Sequence, residues 1–431
     1  MKAMTMKKYI IIGVLLGFLF SAVAMAGDVN KLTPQDSLKL KIKSLEKRLE
    51  TLEEKESENE MQKLMQEAET AAAEKTQETT HSKTFKTGQR SLQAINPELS
   101  ITGDSRAQAV FNKDGFNDDT RTGFNYRTVG IHFQSSLDPF SFMKAVVEFH
   151  PDGVEFAEAY ATWSNLLPKV SVTAGKFRQQ FGVVNRWHDH SLDQYDYPLA
   201  MTTILGEDGI NQTGVSFQWL MPSLWADANT LYLQITNGAN EQLFSGSQFS
   251  FPAVLARLTN YYDLSKSTYL DVGFSGMTGH NNLRGYDNDG NIVKEQQRTT
   301  NLAGMDLTLF LEPVNRAHYH SFLWRSELYY ADKQLSGPDH IKALGGYSYV
   351  EYKLNERFQA GVRYDYTQPF ELNNDGKYIS QVLPYITWWQ SHWARFRLQL
   401  NHKNGSGFTQ ADNVLLLQLT WAAGPHKHDR Y

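Results

Sequence analysis

The chain has 431 residues, a formal net charge of −5 at neutral pH and no cysteine. So mild a negative charge argues against nucleic acid as a partner, and without cysteine no disulfide stabilises the fold. Aromatic residues make up 13% of a chain that is polar on average, and no run of 18 apolar residues follows the N-terminus, which excludes a membrane protein built from helices.

The first 26 residues have the features of a secretory signal peptide. Lys2, Lys7 and Lys8 precede an apolar stretch that ends in the small residues Ala24 and Ala26, which is typical of a signal-peptidase site. Neither of the residues that flank this site is a cysteine, which argues against a lipoprotein anchor. An uncleaved N-terminal anchor is the alternative, but the pattern favours cleavage and export.

Residues 27–75 contain the pattern of a coiled coil. Leucine and isoleucine recur there at spacings of four and three, with Lys and Glu between them, at Leu38, Ile42, Leu45, Leu49 and Leu52. So narrow an apolar stripe favours a periplasmic coiled coil over a single amphipathic helix on another surface. Residues 76–95 are predicted to be a linker, because they are rich in Thr, Ser, Lys and Gln. The apolar stripe does not fix how many helices associate in the coiled coil, and we expect a homotrimer.

From Asn96 onward the apolar period changes to two. In residues 395–400, for example, Phe396 and Leu398 alternate with Arg395 and Arg397. Alternation of this kind is typical of a transmembrane β-barrel, in which every second residue faces lipid. A soluble β-sandwich alternates as well, so the alternation alone leaves both folds open.

Strand number and connection length favour the barrel. The predicted strands number sixteen, with fourteen and eighteen as alternatives, and cover residues 98–112, 121–136, 142–150, 154–164, 170–181, 212–221, 226–237, 252–263, 267–279, 299–312, 318–333, 340–354, 357–368, 377–389, 393–403 and 412–423. Connections after even-numbered strands are short, whereas most of those after odd-numbered strands are long and polar. The sequence therefore predicts an all-β protein, a transmembrane antiparallel barrel over residues 96–431 with a short C-terminal tail.

Three stretches resemble a known group of proteins. They are "INPELSITGDSRAQAVF" at the start of the barrel, the block "GKFRQQFGVVNRWHDHSLDQYDYPLAMTTILGEDGINQTGVSFQWLMP" and the tail "GPHKHDRY". They are similar to Gram-negative outer-membrane porin-like proteins labelled zinc-regulated outer-membrane receptors, a group related in pattern to the phosphate-selective porin O and P family. The resemblance implies localisation in the outer membrane. A TonB-dependent receptor would need a plug domain and a barrel of about 22 strands, and residues 27–95 leave no room for a plug.

The stretch "RWHDH" follows the fifth predicted strand and lies in the longest connection. Residues 182–209 are predicted to fold into the barrel and narrow the pore, because aromatic residues are costly to leave on an exposed loop tip. The residues assigned to this constriction are Arg186, Trp187, Asp189, Asp193 and Asp196. Zinc binding by His188 and His190 is a second interpretation, since imidazole and carboxylate groups are zinc ligands, although two histidines without a third fixed ligand are a weak signal.

Basic residues recur on the predicted inward face of the strands. By alternation we assign seven of them to the pore wall, namely Lys176, Arg178, Arg257, Arg325, Arg363, Arg395 and Arg397. A ring of cations lowers the barrier for anions. Alternatively, these cations pair with inward-facing acids, of which Glu148, Glu158, Asp271, Asp306, Glu327 and Asp365 are candidates.

These features predict a porin-like channel for small hydrophilic solutes or ions, leaning to anions, with outer-membrane lipid around the barrel. A metal-linked uptake receptor and a structural tether of the outer membrane are the alternatives. Catalysis is not expected, because no nucleophile stands beside a candidate base such as His188.

Overall fold

The structure is a computed structural model that describes residues 98–112, 121–244, 252–281, 285–286, 292–293, 298–314, 319–335 and 338–424. The predicted signal peptide, coiled coil, linker and C-terminal tail lie outside these residues. All of the described residues belong to one compact unit, residues 90–431.

Sixteen antiparallel strands close into one barrel. They are β1 (Glu98–Asn112), β2 (Gly123–Asp138), β3 (Ser141–His150), β4 (Gly153–Leu167), β5 (Val170–Arg178), β6 (Asn211–Met221), β7 (Ala228–Thr236), β8 (Ala253–Ser265), β9 (Thr268–His280), β12 (Thr299–Leu311), β13 (Ser321–Gln334), β14 (His340–Lys353), β15 (Phe358–Thr367), β16 (Ile379–Trp389), β17 (Ala394–Gly405) and β18 (Asp412–Ala423). Between β9 and β12, the short strands β10 (Gly285–Tyr286) and β11 (Ile292–Val293) form a separate hairpin. The predicted count of sixteen is confirmed, and every predicted boundary lies within three residues of the observed one.

Consecutive strands pair, and β1 pairs with β18 to close the sheet, with Ile101 opposite Ala423. Because the strand number is even, β1 begins and β18 ends at the same rim. That rim also carries the short connections, such as residues 139–140 and 266–267, and we name it the short-turn rim. The opposite, long-loop rim carries the longest connection, residues 179–210 between β5 and β6.

The two faces of the wall differ as the alternation predicted. In β15, Val362 and Tyr364 are 40% and 51% exposed, whereas Arg363 and Asp365, which alternate with them, are fully buried. Apolar side chains therefore face outward, toward the position of lipid, and charged ones face the lumen. Within the described residues, no helix is long and apolar enough to cross a membrane.

Two register shifts change which side chains face the lumen. Between β1 and β2 the register passes from Asp104 opposite Thr128 to Ser105 opposite Tyr126, so Arg127 is the extra residue. A β-bulge of this kind re-aims a side chain, and Arg127 contacts residue 189 inside the barrel. Between β3 and β4 a second shift leaves Ala157 as the extra residue, next to the inward-facing Glu158.

Candidate functional site: a loop inside the barrel

Residues 179–210, which we name the inward loop, lie inside the lumen. Phe181, Met201 and Ile204 are fully buried, and Trp187 is 2% exposed. They pack with inward-facing apolar residues of β8, β9 and β12–β14 in one cluster, among them Leu255, Met277, Leu302, Tyr329, Ala343 and Tyr347. The loop is therefore held by apolar burial against one side of the wall, and the barrel is not an empty pore.

Local structure fits the loop to the wall. Short 3-10 turns at Val184–Arg186 and Asp189–Ser191 are followed by the helix α1, Leu199–Leu205. The wall contributes Gly345 where α1 approaches it, since a Cβ added there would lie 2.9 Å from the Cβ of Ala200. A bulkier wall residue would therefore push α1 away.

A glutamate anchors the beginning of the loop. Glu327 on β13 accepts hydrogen bonds from the backbone N–H groups of Val183 (3.1 Å) and Val184 (3.0 Å). The hydroxyl groups of Tyr329 (2.7 Å) and Tyr347 also donate to this carboxylate. Four donors thus surround a carboxylate that is 1% exposed, which compensates for its burial.

His188 is clamped between two strands. Its Nδ1 lies 2.9 Å from Glu148 Oε1 on β3, and its Nε2 lies 2.8 Å from Glu158 Oε2 on β4. Lys144 contributes a second cation, 3.0 Å from Glu158. Burial lowers the pKa of His188, but the two carboxylates outweigh burial and hold the pKa above its ordinary value. The imidazole is therefore a buried cation that ties the loop to β3 and β4.

His190 lies beside His188, as the zinc interpretation requires. The two rings stack with centroids 5.8 Å apart, and the ring of His132 meets the His190 ring edge-on at 5.0 Å. Both ring nitrogens of His188 are taken by glutamates. In the part of the chain that the structure describes, no group of three or more His, Asp or Glu side chains is arranged to hold a metal ion. Zinc binding stays a prediction.

Two of the assigned wall arginines hold loop carbonyl groups. Arg395 donates to the carbonyl oxygens of His190 (2.6 Å) and Leu192 (3.1 Å), and Arg397 donates to that of Leu192 (3.0 Å). Two residues further along β17, Gln399 Oε1 accepts a hydrogen bond from the backbone N–H of Tyr195 (2.9 Å). Alternate residues of β17 thus clamp the loop over residues 190–195.

The other assigned arginines are also engaged. Arg363 donates to the carbonyl of Asp196 (2.8 Å) and lies 2.9 Å from Asp365, while Arg325 stacks over the Trp187 ring at 4.6 Å. Arg257 lies 2.9 Å from Asp306. The Arg363–Asp365 and Arg257–Asp306 pairs agree with the alternative that wall arginines pair with wall acids. Every one of these arginines faces inward and is less than a tenth exposed.

Lys176 does not face the lumen, contrary to the prediction from alternation. It pairs in register with Ala159 and Thr213, whereas the neighbouring Phe177 pairs with the buried, inward-facing Gln212. Phe177 and the residues that alternate with Lys176 in β5 therefore face inward, and Lys176 faces outward. The Lys176 amine lies 3.0 Å from the carboxylate of Glu155.

Arg178 ends β5 and turns inward with the chain. Its guanidinium group donates to the carbonyl of Asp208 (2.8 Å) within the loop.

The three assigned aspartates bind partners other than Lys176 and Arg178, the basic residues of the strand that leads into the loop. Asp189 lies 2.6 Å from Arg127 Nε. Asp193 accepts a hydrogen bond from the Tyr349 hydroxyl (2.6 Å) and lies 3.5 Å from Arg325. Asp196 accepts hydrogen bonds from the side-chain amides of two residues of β17, Gln399 (3.2 Å) and Asn401 (2.7 Å). Arg186, the remaining constriction residue, is half-buried, and burial and Arg257 lower its pKa.

The sequence did not single out Arg106 and Arg127, which flank one aromatic ring. The guanidinium carbon of Arg106 lies 5.0 Å from the centroid of the Tyr195 ring, and that of Arg127 lies 4.6 Å from it. Burial raises the pKa of Tyr195 to about 12 against the effect of both cations, so the phenol stays neutral. Arg106 could have been found from the sequence, because it lies two residues from Asp104 in β1 and both face inward. Arg127 faces inward only because of the bulge.

Two cavities lie on either side of the clamped segment. The rim cavity, of about 390 Å³, lies near the long-loop rim, and its lining includes Arg106, Gln108, Arg127, Asp196, Asn401 and Lys403. The vestibule cavity, of about 830 Å³, lies at the short-turn rim, between residues 353–359 and 389–393. Along β17, Lys403 and Asn401 face the rim cavity, and the turn before β17 borders the vestibule cavity. Along the same strand, the contacts of Arg395, Arg397 and Gln399 with loop residues 190–195 lie between these two positions.

No family model matches the chain. A relative from Aquifex aeolicus (strain VF5), described only as an uncharacterized protein, is 27% identical over 334 residues, which cover 71% of this chain and 70% of the relative.

Solved structures of outer-membrane proteins share the fold. The outer-membrane channel DcaP of Acinetobacter baumannii is similar with a TM-score of 0.54 and 11% identity, over 78% of this chain and 99% of that one. The anion-selective porin from Comamonas acidovorans has a TM-score of 0.52 and 10% identity, over 76% of this chain and 100% of that one. The trimer form of OmpT of Vibrio cholerae has a TM-score of 0.50 and 11% identity, over 77% of this chain and 100% of that one.

This is the barrel fold of outer-membrane porins. At such low identities the likeness concerns the fold alone. The resemblance of the sequence to porin-like proteins thus agrees with the architecture, while the zinc-regulated subgroup stays a prediction.

Proposed function

We propose that the protein is a porin-like channel of the outer membrane for small hydrophilic solutes or ions, with the inward loop as its constriction. The observation that carries this proposal is the loop clamped on Arg395 and Arg397 between two cavities, one at each rim. A loop that divides a lumen in this way limits the size of what passes. The outward apolar face and the porin fold support a position in the outer membrane.

A lean toward anions is part of the proposal. Guanidinium groups of Arg395 and Arg397 stand where the loop is clamped to the wall, and Arg106 lines the rim cavity. Carboxylates of the loop, such as that of Asp196, repel anions, so we expect only a weak preference for anions over cations.

Planar-bilayer recordings of the purified full chain test the function. We expect discrete conductance steps and, in a salt gradient, a reversal potential on the anion side. Replacing both Arg395 and Arg397 with Gln removes the cations and the clamp together, so conductance should rise and the reversal potential should move toward cations. Absence of any conductance from the wild-type protein and from this variant would refute the channel and favour the tether.

We further propose a homotrimer joined by residues 38–65, which lie outside the described residues. The trimer form of a protein with the same fold supports a trimeric barrel. Deletion of residues 38–65 should weaken the trimer, and mass measurement in detergent tests it. A monomeric mass that is the same with and without the segment would contradict this assembly.

A further inference from the structure

Arg106 is the available cation of the rim cavity. Its Nε is buried without a hydrogen-bond partner, and among the described residues no carboxylate forms an ion pair with it. Stacking on the Tyr195 ring fixes the plane of its guanidinium group. Of the other cations of this cavity, Arg127 is paired with Asp189, and Lys403 stands opposite Asp412 in the register of β17 and β18.

Asp196 is the corresponding anion. Its carboxylate accepts hydrogen bonds only from neutral amides, those of Gln399 and Asn401, and among the described residues no cation forms an ion pair with it. It is the residue after Tyr195, on whose ring Arg106 stacks, and it lines the same cavity as Arg106. A second loop carboxylate, that of the exposed Glu207, lines the same cavity.

Wall and loop therefore bring opposite charges to one cavity. A solute with a carboxylate alone is attracted by Arg106 and repelled by Asp196, and the reverse holds for a solute with an ammonium group alone. A solute that carries both groups gains from both residues. Guanidinium donors suit a planar carboxylate, and the volume of about 390 Å³ lies within the range of small-molecule pockets.

We propose that the rim cavity is a binding subsite for small dipolar solutes that carry one carboxylate and one ammonium group, as free amino acids do. The carboxylate binds Arg106 and the ammonium group faces Asp196. The inference rests on the proposed function, because the subsite lies on the proposed path of the solute, but binding is measurable without transport.

Saturation-transfer difference titrations of the detergent-solubilised full chain test the subsite. The probes are glycine, acetate and methylammonium. Glycine should bind at least tenfold more tightly than either probe with a single charge. Arg106→Gln should weaken glycine and acetate at least tenfold, whereas Asp196→Asn should weaken glycine and strengthen acetate. Lys377→Gln is the control, because Lys377 is exposed outside the strands and pairs with Glu371 at 2.6 Å.

Equal affinities for the three probes, or no binding of glycine, would overturn the subsite, as would an Arg106→Gln variant that binds all probes like the wild type. Among the described residues Arg106 forms no ion pair, and its contact with the Tyr195 ring is shared with Arg127, so this variant decides the question even if Asp196→Asn loosens the loop. Conductance without glycine binding refutes the subsite alone. Glycine binding without conductance refutes the channel alone.

Discussion

At the scale of single residues, the inward-facing charges hold the loop. His188 between Glu148 and Glu158, and Arg397 on the carbonyl of Leu192, each place a cation against loop or wall oxygen atoms that are buried. A buried charge is tolerated only when it is paired or hydrogen-bonded. These residues therefore position the loop, and their removal should free the loop before it unfolds the barrel.

His188→Gln tests this account. The change removes the cation that Glu148 and Glu158 share, although Lys144 stays beside Glu158, and loop docking should weaken by about 3 kcal/mol, the cost of removing one partner of a buried ion pair. Hydrogen exchange of residues 182–209 should quicken, while exchange in the strands should not change. His402→Gln is the control, since His402 is exposed and bonds Asn413. Unchanged protection of the loop would contradict the role of His188.

The same histidine predicts a pH dependence. The pKa of His188 is raised in the docked loop, so docking takes up a proton. Its contribution is complete below the ordinary pKa of a free histidine and is lost as pH rises through the raised pKa. Protection factors of the loop should therefore fall at alkaline pH in the wild type, and this fall should be absent in His188→Gln. A fall of equal size in both proteins would assign the effect to another group.

At the scale of elements, the strands were predictable and the partners of the loop were not. Alternation is local, and it placed Arg363 and Arg397 correctly inside the barrel. The inward-facing residues of β13, however, change from the charged Arg325 and Glu327 to Tyr329 and Ala331 toward the long-loop rim. Apolar residues on both faces of a strand indicate something packed inside, but the sequence does not say which loop. Register shifts such as the one at Arg127 are equally invisible to alternation.

Packing of α1 on β14 gives a second prediction. In Gly345→Val the added atoms would meet Ala200 and Thr367, whose nearest atoms lie 2.9 and 2.6 Å from an added Cβ. Overpacking of this kind costs about 1–3 kcal/mol, and α1 should move off the wall and raise the conductance. In Gly276→Val the added Cβ meets only the carbonyl of Leu302, at 4.0 Å, and conductance should not change. Equal conductance of both variants and the wild type would place α1 elsewhere.

At the scale of the whole molecule, the outward belt predicts a membrane position. Val362 is 40% exposed near the middle of β15, whereas Phe124 is 92% exposed at the start of β2, close to the long-loop rim. An arginine at the bilayer midplane costs about 2–4 kcal/mol, and one near the interface costs about 0–1 kcal/mol. Folding titrations into lipid vesicles should show that difference between Val362→Arg and Phe124→Arg. Equal losses in the two variants would contradict this orientation of the strands in the bilayer.

The central claim is that the loop lies docked inside the lumen and limits the pore, and a disulfide tests it most directly. The chain has no cysteine, so Ala200→Cys with Gly345→Cys introduces one pair whose Cβ atoms lie within about 1 Å of the usual disulfide separation. We predict that oxidation joins the pair and that conductance is then low and uniform, rising only after reduction. Failure to form the disulfide, with the conductance of the wild type in both redox states, would show that the loop lies outside the pore.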